Sequence, residues 1–168
     1  MKYAIVYSSQ TGNTEMLAQA LKEKLSEEDC VYYGEPDKAA LKAERIYVGF
    51  WTDKGTCDKK TKDFLKGIKN KEVFLFGTAG FGQSQAYFDN ILKGIEQSLD
   101  QSCTVAGGWM CQGKMPMSVR DRYQEMLDKH MPVANLKEMI QNFDEALRHP
   151  NQLDLRAFEK TVMKTLHS

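Results

Sequence analysis

The chain has 168 residues, of which 42% are hydrophobic and 27% charged, and its 23 basic side chains balance 23 acidic ones. That length suits one domain, residues 1–168, around a single substantial core, and the composition is that of a globular protein. Zero net charge excludes the nucleic-acid binders, which concentrate a surplus of Lys and Arg on one face to neutralise phosphates.

Lys2 to Tyr7 is an apolar run of strand length, after which Leu17, Ala20, Leu21 and Leu25 recur at helical spacing. Cys30 to Tyr33 reads as a short second strand, Arg45 to Phe50 (RIYVGF) as a third, Glu72 to Gly77 (EVFLFG) as a fourth and Cys103 to Cys111 (CTVAGGWMC) as a fifth. Helical patterns fall between most of them: Phe64, Leu65 and Ile68, then Phe88, Ile91, Leu92, Ile95 and Leu99, and after the fifth strand Leu136, Ile140, Phe143 and Leu147. Beyond Pro150, Leu153, Leu155, Phe158, Val162 and Leu166 predict one more helix, an extension over 151–168 outside this alternation.

Nearly continuous apolar strands alternating with helices are what a parallel sheet covered on both faces requires, because each parallel crossover needs a helix. The fold class is therefore α/β, a doubly wound parallel sheet. The chain opens directly on a strand, without a basic n-region and apolar h-region, and holds no apolar run of bilayer-crossing length, so a cytoplasmic location is expected. Cys30, Cys57, Cys103 and Cys111 form no C-x-x-C pair and are expected as reduced thiols. Cys57 starts a predicted helix, but with no base or second thiol near it in sequence it reads as unreactive. His130, His149 and His167 lack metal-ligand spacing, and no metal is expected.

In a doubly wound sheet the ligand sits at the carboxyl ends of the strands. The first such loop is Ser8-Ser9-Gln10-Thr11-Gly12-Asn13-Thr14. A helix starting near Asn13 or Thr14 turns unpaired N–H groups and a positive dipole end toward it, and Ser9, Thr11, Asn13 and Thr14 add neutral donors while Gly12 permits a close turn around an anion. The alternative is an ordinary helix cap, which accounts for one or two of these residues. The dinucleotide fingerprint G-x-G-x-x-G is absent, and the run from Gly108 to Lys114 departs from a nucleotide P-loop where Met115 replaces the Ser or Thr that would hold magnesium.

Ser9-Gln10-Thr11-Gly12-Asn13-Thr14 resembles the (S/T)-x-T-G-x-T phosphate loop of flavodoxins, in the same place after the first strand of a chain of matching length. The resemblance implies a flavodoxin-like five-stranded sheet of order 2-1-3-4-5 and FMN held through its 5′-phosphate. It also implies two ring loops. In the first, Trp51 is the stacking candidate, followed by Thr52, with the Asp53-Lys54-Gly55-Thr56 backbone as partner of the flavin N5; the alternative for Trp51 is closure of the core edge. The second is Thr78-Ala79-Gly80-Phe81-Gly82-Gln83, where Phe81 either packs the loop or faces the ring and Gln83 stands in place of a more usual feature. Lys114 is either near the flavin N1 or simply solvated.

Two functions follow. One is an electron carrier passing single electrons between redox partner proteins, a reductase and an acceptor, and working as a monomer. The other is a flavodoxin-like reductase, or a dedicated reductase subunit, acting on a tetrapyrrole such as bilirubin or on a quinone. Carrier flavodoxins are typically acidic, whereas this chain is neutral, with Lys54, Lys59, Lys60, Lys62, Lys66, Lys69 and Lys71 clustered after the third strand. That balance, with the spelling GFWTDKGTCD, is similar to flavodoxin-like proteins that accompany bacterial bilirubin reduction.

Overall fold

A computed structural model describes residues 1–82 and 84–166; Gln83 and His167 lie outside the described residues. Five strands run parallel: β1 (Tyr3–Tyr7), β2 (Cys30–Gly34), β3 (Arg45–Asp53), β5 (Glu72–Ala79) and β6 (Thr104–Gln112). They are ordered β2-β1-β3-β5-β6, and a two-residue strand, β4 (Thr56–Cys57), pairs antiparallel with the end of β3. This is the expected 2-1-3-4-5 order with a short hairpin strand intercalated. The strand order reverses between β1 and β3, whose carboxyl ends lie side by side through the pairing of Tyr7 with Gly49.

Side chains alternate along each strand, so each strand feeds two cores. Ala4, Val6, Ile46, Val48, Phe50, Val73 and Leu75 face the layer formed by α2 (Lys59–Leu65) and α3 (Gln85–Glu96), where Leu65, Phe88, Ile91, Leu92 and Ile95 are buried. Tyr3, Ile5, Tyr47, Phe74 and Phe76 face α1 (Asn13–Lys24), through Leu17, Ala18 and Leu21, and α6 (Gln152–Leu166), through Phe158 and Val162. Across β3 and β5 large meets small. Gly49 opposes Phe76 and Phe50 opposes Gly77, and a Cβ at Gly49 would lie 2.5 Å from Phe76 Cζ.

The helix predicted beyond Pro150 is present as α6, and it belongs to the core. The Phe158 ring sits 5.1 Å from Phe76 and stacks at 5.2 Å on Trp109. The helices carrying a small core of their own are α4 (Met117–Asp128) and α5 (Leu136–Ala146), around Tyr123, Leu136 and Ile140. A bidentate pair joins them, with Arg120 Nε and Nη2 donating to Asp144 at 2.9 and 3.2 Å. The pattern read above marks α5 but not α4, because Tyr123 is the one fully buried residue of α4 and its remaining apolar side chains are only partly covered. The pair lies between β6 and α6 in the chain, and so enters and leaves beside the carboxyl edge of the sheet.

Candidate functional site

The first loop is shaped by a hydroxyl clamp beneath it. Ser8 N–H extends the β1–β3 pairing by donating to Gly49 O at 3.0 Å, and Gly12 then turns the chain into α1 with φ of 87°, a conformation that only glycine adopts without strain. Thr14, fully buried on the first turn of α1, donates from its hydroxyl to Phe50 O at 2.9 Å and lies 3.2 Å from Thr78 Oγ1. One side chain therefore ties the loop to the ends of β3 and β5.

Above the clamp, Ser9 Oγ accepts from Glu15 N–H at 3.3 Å, and Asn13 Nδ2 donates to Thr11 Oγ1 at 2.9 Å. Among the described residues, the N–H groups of Gln10, Thr11, Gly12, Asn13 and Thr14 have no protein acceptor. They form a nest of neutral donors at a helix start, the arrangement that suits a phosphate.

The segment after β3, expected as a loop, is a hairpin. Lys54 and Gly55 both take positive φ, 53° and 84°, as a two-residue turn twisted to match its strands requires, and Thr52 pairs with Cys57. Asp58 closes the base, its backbone N–H donating to Trp51 O at 3.0 Å while its carboxylate accepts from Trp51 N–H at 3.3 Å and caps α2 at Thr61 N–H. Trp51 and Thr52 are half-buried; Asp53, Lys54 and Gly55 are exposed, with Thr56 half-buried beside them. Burial pushes the Cys57 thiol up, and the Asp58 charge beside it adds to the shift.

Thr78 and Ala79 are the last residues of β5, and Gly80 follows them. Ala79 O accepts from Gly113 N–H at 2.9 Å, and Gly80 O accepts from the side-chain amides of Gln112 at 2.9 Å and Asn142 at 3.0 Å. Phe81 is exposed and Gly82 half-buried. The chain beyond β6 then crosses back over the sheet edge to the first loop, where Lys114 O accepts from Thr11 Oγ1 at 3.2 Å and Asn13 Nδ2 at 2.8 Å.

These segments enclose a cavity of about 60 Å³. Of the residues predicted from sequence, Gln10, Thr11, Asn13, Trp51, Thr52, Thr78, Ala79 and Gly80 line it, joined by Gly113, Lys114, Met115 and Pro116. Ser9, Gly12 and Thr14 shape the loop from outside the lining, and Asp53, Lys54, Gly55, Thr56, Phe81 and Gly82 stand beyond it. Met115 belongs to the loop after the fifth strand, and Asn142 is an addition that the sequence did not point to. Met115 Sδ would lie 2.5 Å from a Cβ at Gly80, and Asn142 arrives from a helix 62 residues away in sequence. A larger hollow of about 390 Å³ at the opposite edge of the sheet includes Arg45, whose charge is met by Glu72 at 2.9 Å.

Two buried polar atoms here have no partner among the described residues, Asn13 Oδ1 and Thr52 Oγ1. Leaving such atoms unpaired costs on the order of 1–3 kcal/mol each, so the cradle is chemically matched to a ligand that brings hydroxyls as well as a phosphate. No group of His, Cys, Asp and Glu that could hold a metal ion occurs among the described residues.

The chain matches the family model described as a flavodoxin domain over residues 4–163. It belongs to the flavodoxin family. A flavodoxin-like domain-containing protein BilS of Clostridium symbiosum is 40% identical, over 99% of this chain and 96% of that protein. Its counterpart in Clostridioides difficile is 31% identical over 97% of each. Among solved structures, the two-electron-reduced flavodoxin of Megasphaera elsdenii superposes with a TM-score of 0.51 at 21% identity, over 86% of this chain and 99% of that one, a likeness of fold. No helix among the described residues is long and apolar enough to cross a membrane.

Proposed function

We propose that this flavodoxin carries single electrons between redox partner proteins through FMN held at the carboxyl edge of its sheet. Family membership makes FMN the cofactor, and a bound flavin supplies reversible one- and two-electron reduction. The observation that carries the reading is the 9–14 loop, where unpaired N–H groups from Gln10 to Thr14 meet at the start of α1.

In this reading the backbone N–H groups hold the 5′-phosphate, whose two negative charges are met by neutral donors at the helix dipole. The Thr11 hydroxyl exchanges its 3.2 Å bond to Lys114 O for one to the phosphate, while the Asn13 amide stays on Lys114 O at 2.8 Å. Asn13 Oδ1 and Thr52 Oγ1 serve the ribityl hydroxyls. Trp51 covers the ring on one side, the Asp53–Thr56 hairpin backbone meets its N5 edge, and the segment from Thr78 to Gly82 covers the other side. Thr14 acts beneath the loop, because its hydroxyl proton is already given to Phe50 O. A phosphate held by neutral donors brings no cation of its own to the flavin. Lys114, exposed beside the cavity, is the cation placed to stabilise added negative charge on the ring. The protein is further read as a single-domain, cytoplasmic monomer.

Reductive titration of the purified, FMN-loaded chain with dithionite tests the carrier role. Stepwise one-electron reduction and rapid oxidation by a one-electron acceptor are expected. Turnover of bilirubin or a quinone by the chain alone, with only two-electron steps, would move the assignment to a reductase.

A further inference from the structure

We infer that Asn142 of α5 is a positioning residue for the flavin loop at Gly80–Gly82, linking the α4–α5 pair to the ring. The inference rests on the FMN reading and adds to it a residue remote from every flavodoxin-like motif in the chain.

Three polar groups close a buried triangle. Gln112 Nε2 donates to Gly80 O at 2.9 Å and to Asn142 Oδ1 at 3.0 Å, and Asn142 Nδ2 donates to Gly80 O at 3.0 Å. Both side chains are nearly inaccessible, at 7% and 5% exposure. Turning either amide over would set oxygen against oxygen, so the triangle fixes both orientations. With Ala79 O bonded to Gly113 N–H, the carbonyls of Ala79 and Gly80 are both occupied by protein donors. The N–H groups of Gly80, Phe81 and Gly82 have no acceptor among the described residues. At Gly80 the loop therefore turns its N–H, and not its carbonyl, to the acceptor-rich edge of a flavin.

The surrounding packing is independent support. A Cβ at Gly82 would lie 2.8 Å from Gln112 Cβ, and one at Gly80 would meet Met115 Sδ. The loop is thus held from below by Gln112 and from the far side by Asn142, whose neighbours Phe143 and Ala146 are fully buried. Without the Asn142 amide the Gly80 carbonyl keeps one donor, Gln112 Nε2, and Gln112 loses the acceptor that fixes its orientation, so the peptide is held more loosely against the ring.

The test uses the full chain, titrated with FMN and with riboflavin, and the midpoint potential of the FMN-loaded protein. Asn142→Ala is expected to weaken FMN and riboflavin alike by about tenfold, about 1.4 kcal/mol, so that their ratio stays at the wild-type value, and to shift the midpoint potential. Faster amide exchange confined to residues 80–82 is expected in the loaded protein. Should Asn142→Ala not fold, Asn142→Asp keeps the side-chain volume and the acceptor for Gln112 while losing the donor to Gly80; the same loss is expected at pH 8. Wild-type affinities and potential in either folded variant, whatever the melting temperature, would overturn the inference while leaving the cofactor reading intact. Failure of the wild-type chain to bind either flavin would overturn that reading, and the inference with it.

Discussion

The Thr14 hydroxyl lies 2.9 Å from the Phe50 carbonyl oxygen, to which it donates across the joint between α1 and β3. A residue that reads in sequence as a phosphate ligand is thus built into the floor of the loop. Thr14→Val should therefore act mainly on folding, because it leaves Phe50 O buried and unpaired at a cost of about 1–3 kcal/mol. Urea denaturation of the flavin-free chain measures it. Thr14→Ser, which keeps the hydroxyl, should recover most of the loss; equal stability of the Val variant and the wild type would show that the clamp is idle.

Gly49→Ala is expected to destabilise by about 1–3 kcal/mol, the usual range for overpacking a filled core. Its Cβ would lie 2.5 Å from Phe76 Cζ and 3.0 Å from Thr14 Cγ2, and Phe76 cannot give way freely because Phe158 packs on it. The denaturation midpoint reports the change, and a near-neutral substitution would mean that the Phe76 ring is mobile.

At the tip of the hairpin, Gly55→Ala forces a side chain into φ of 84° and should cost about 1–2 kcal/mol. Lys54→Asn should go the other way by a few tenths of a kcal/mol, since Asn tolerates the left-handed conformation that Lys54 adopts at φ of 53°. Thermal melts of the two variants should move in opposite directions.

Stability should fall on the alkaline side. Burial, with Asp58 adjoining, raises the Cys57 thiol, and burial raises Cys111 well above the usual range. An unfolded thiol ionises near pH 8.5, so above that pH the unfolded chain releases protons that the folded one retains. Stability is then lost by at most about 1.4 kcal/mol per pH unit for each thiol. Denaturation midpoints at pH 7, 8.5 and 9.5 should trace the fall, and Cys57→Ala with Cys111→Ala should flatten it. The same burial predicts that native-state alkylation spares these two thiols.

What the sequence made legible was local. The path from β1 through Gly12 to α1 is written in adjacent residues, an apolar run, a left-handed turn and a helical repeat, and the five parallel strands follow from apolar segments of strand length. The hairpin over residues 51–57 read as a loop because its strand β4 is two residues long. The place of α6 was not legible: its apolar repeat marks a helix, but only the meeting of Phe158 with Phe76 and Trp109 puts that helix in the core. Asn142 was hidden for a similar reason. An amide in a helix carries no mark of the Gly80 carbonyl that it meets 62 residues away.

The phosphate loop is tested most directly by comparing FMN with riboflavin, since the two differ only at the 5′-phosphate. Fluorescence titration of the flavin-free chain should give FMN a dissociation constant lower by on the order of a hundredfold, as two charge-assisted hydrogen bonds of about 1.5 kcal/mol each imply. Thr11→Val should narrow that ratio by about tenfold. Equal affinity for the two flavins, or no binding of either, would contradict the assignment of residues 9–14 as the phosphate site.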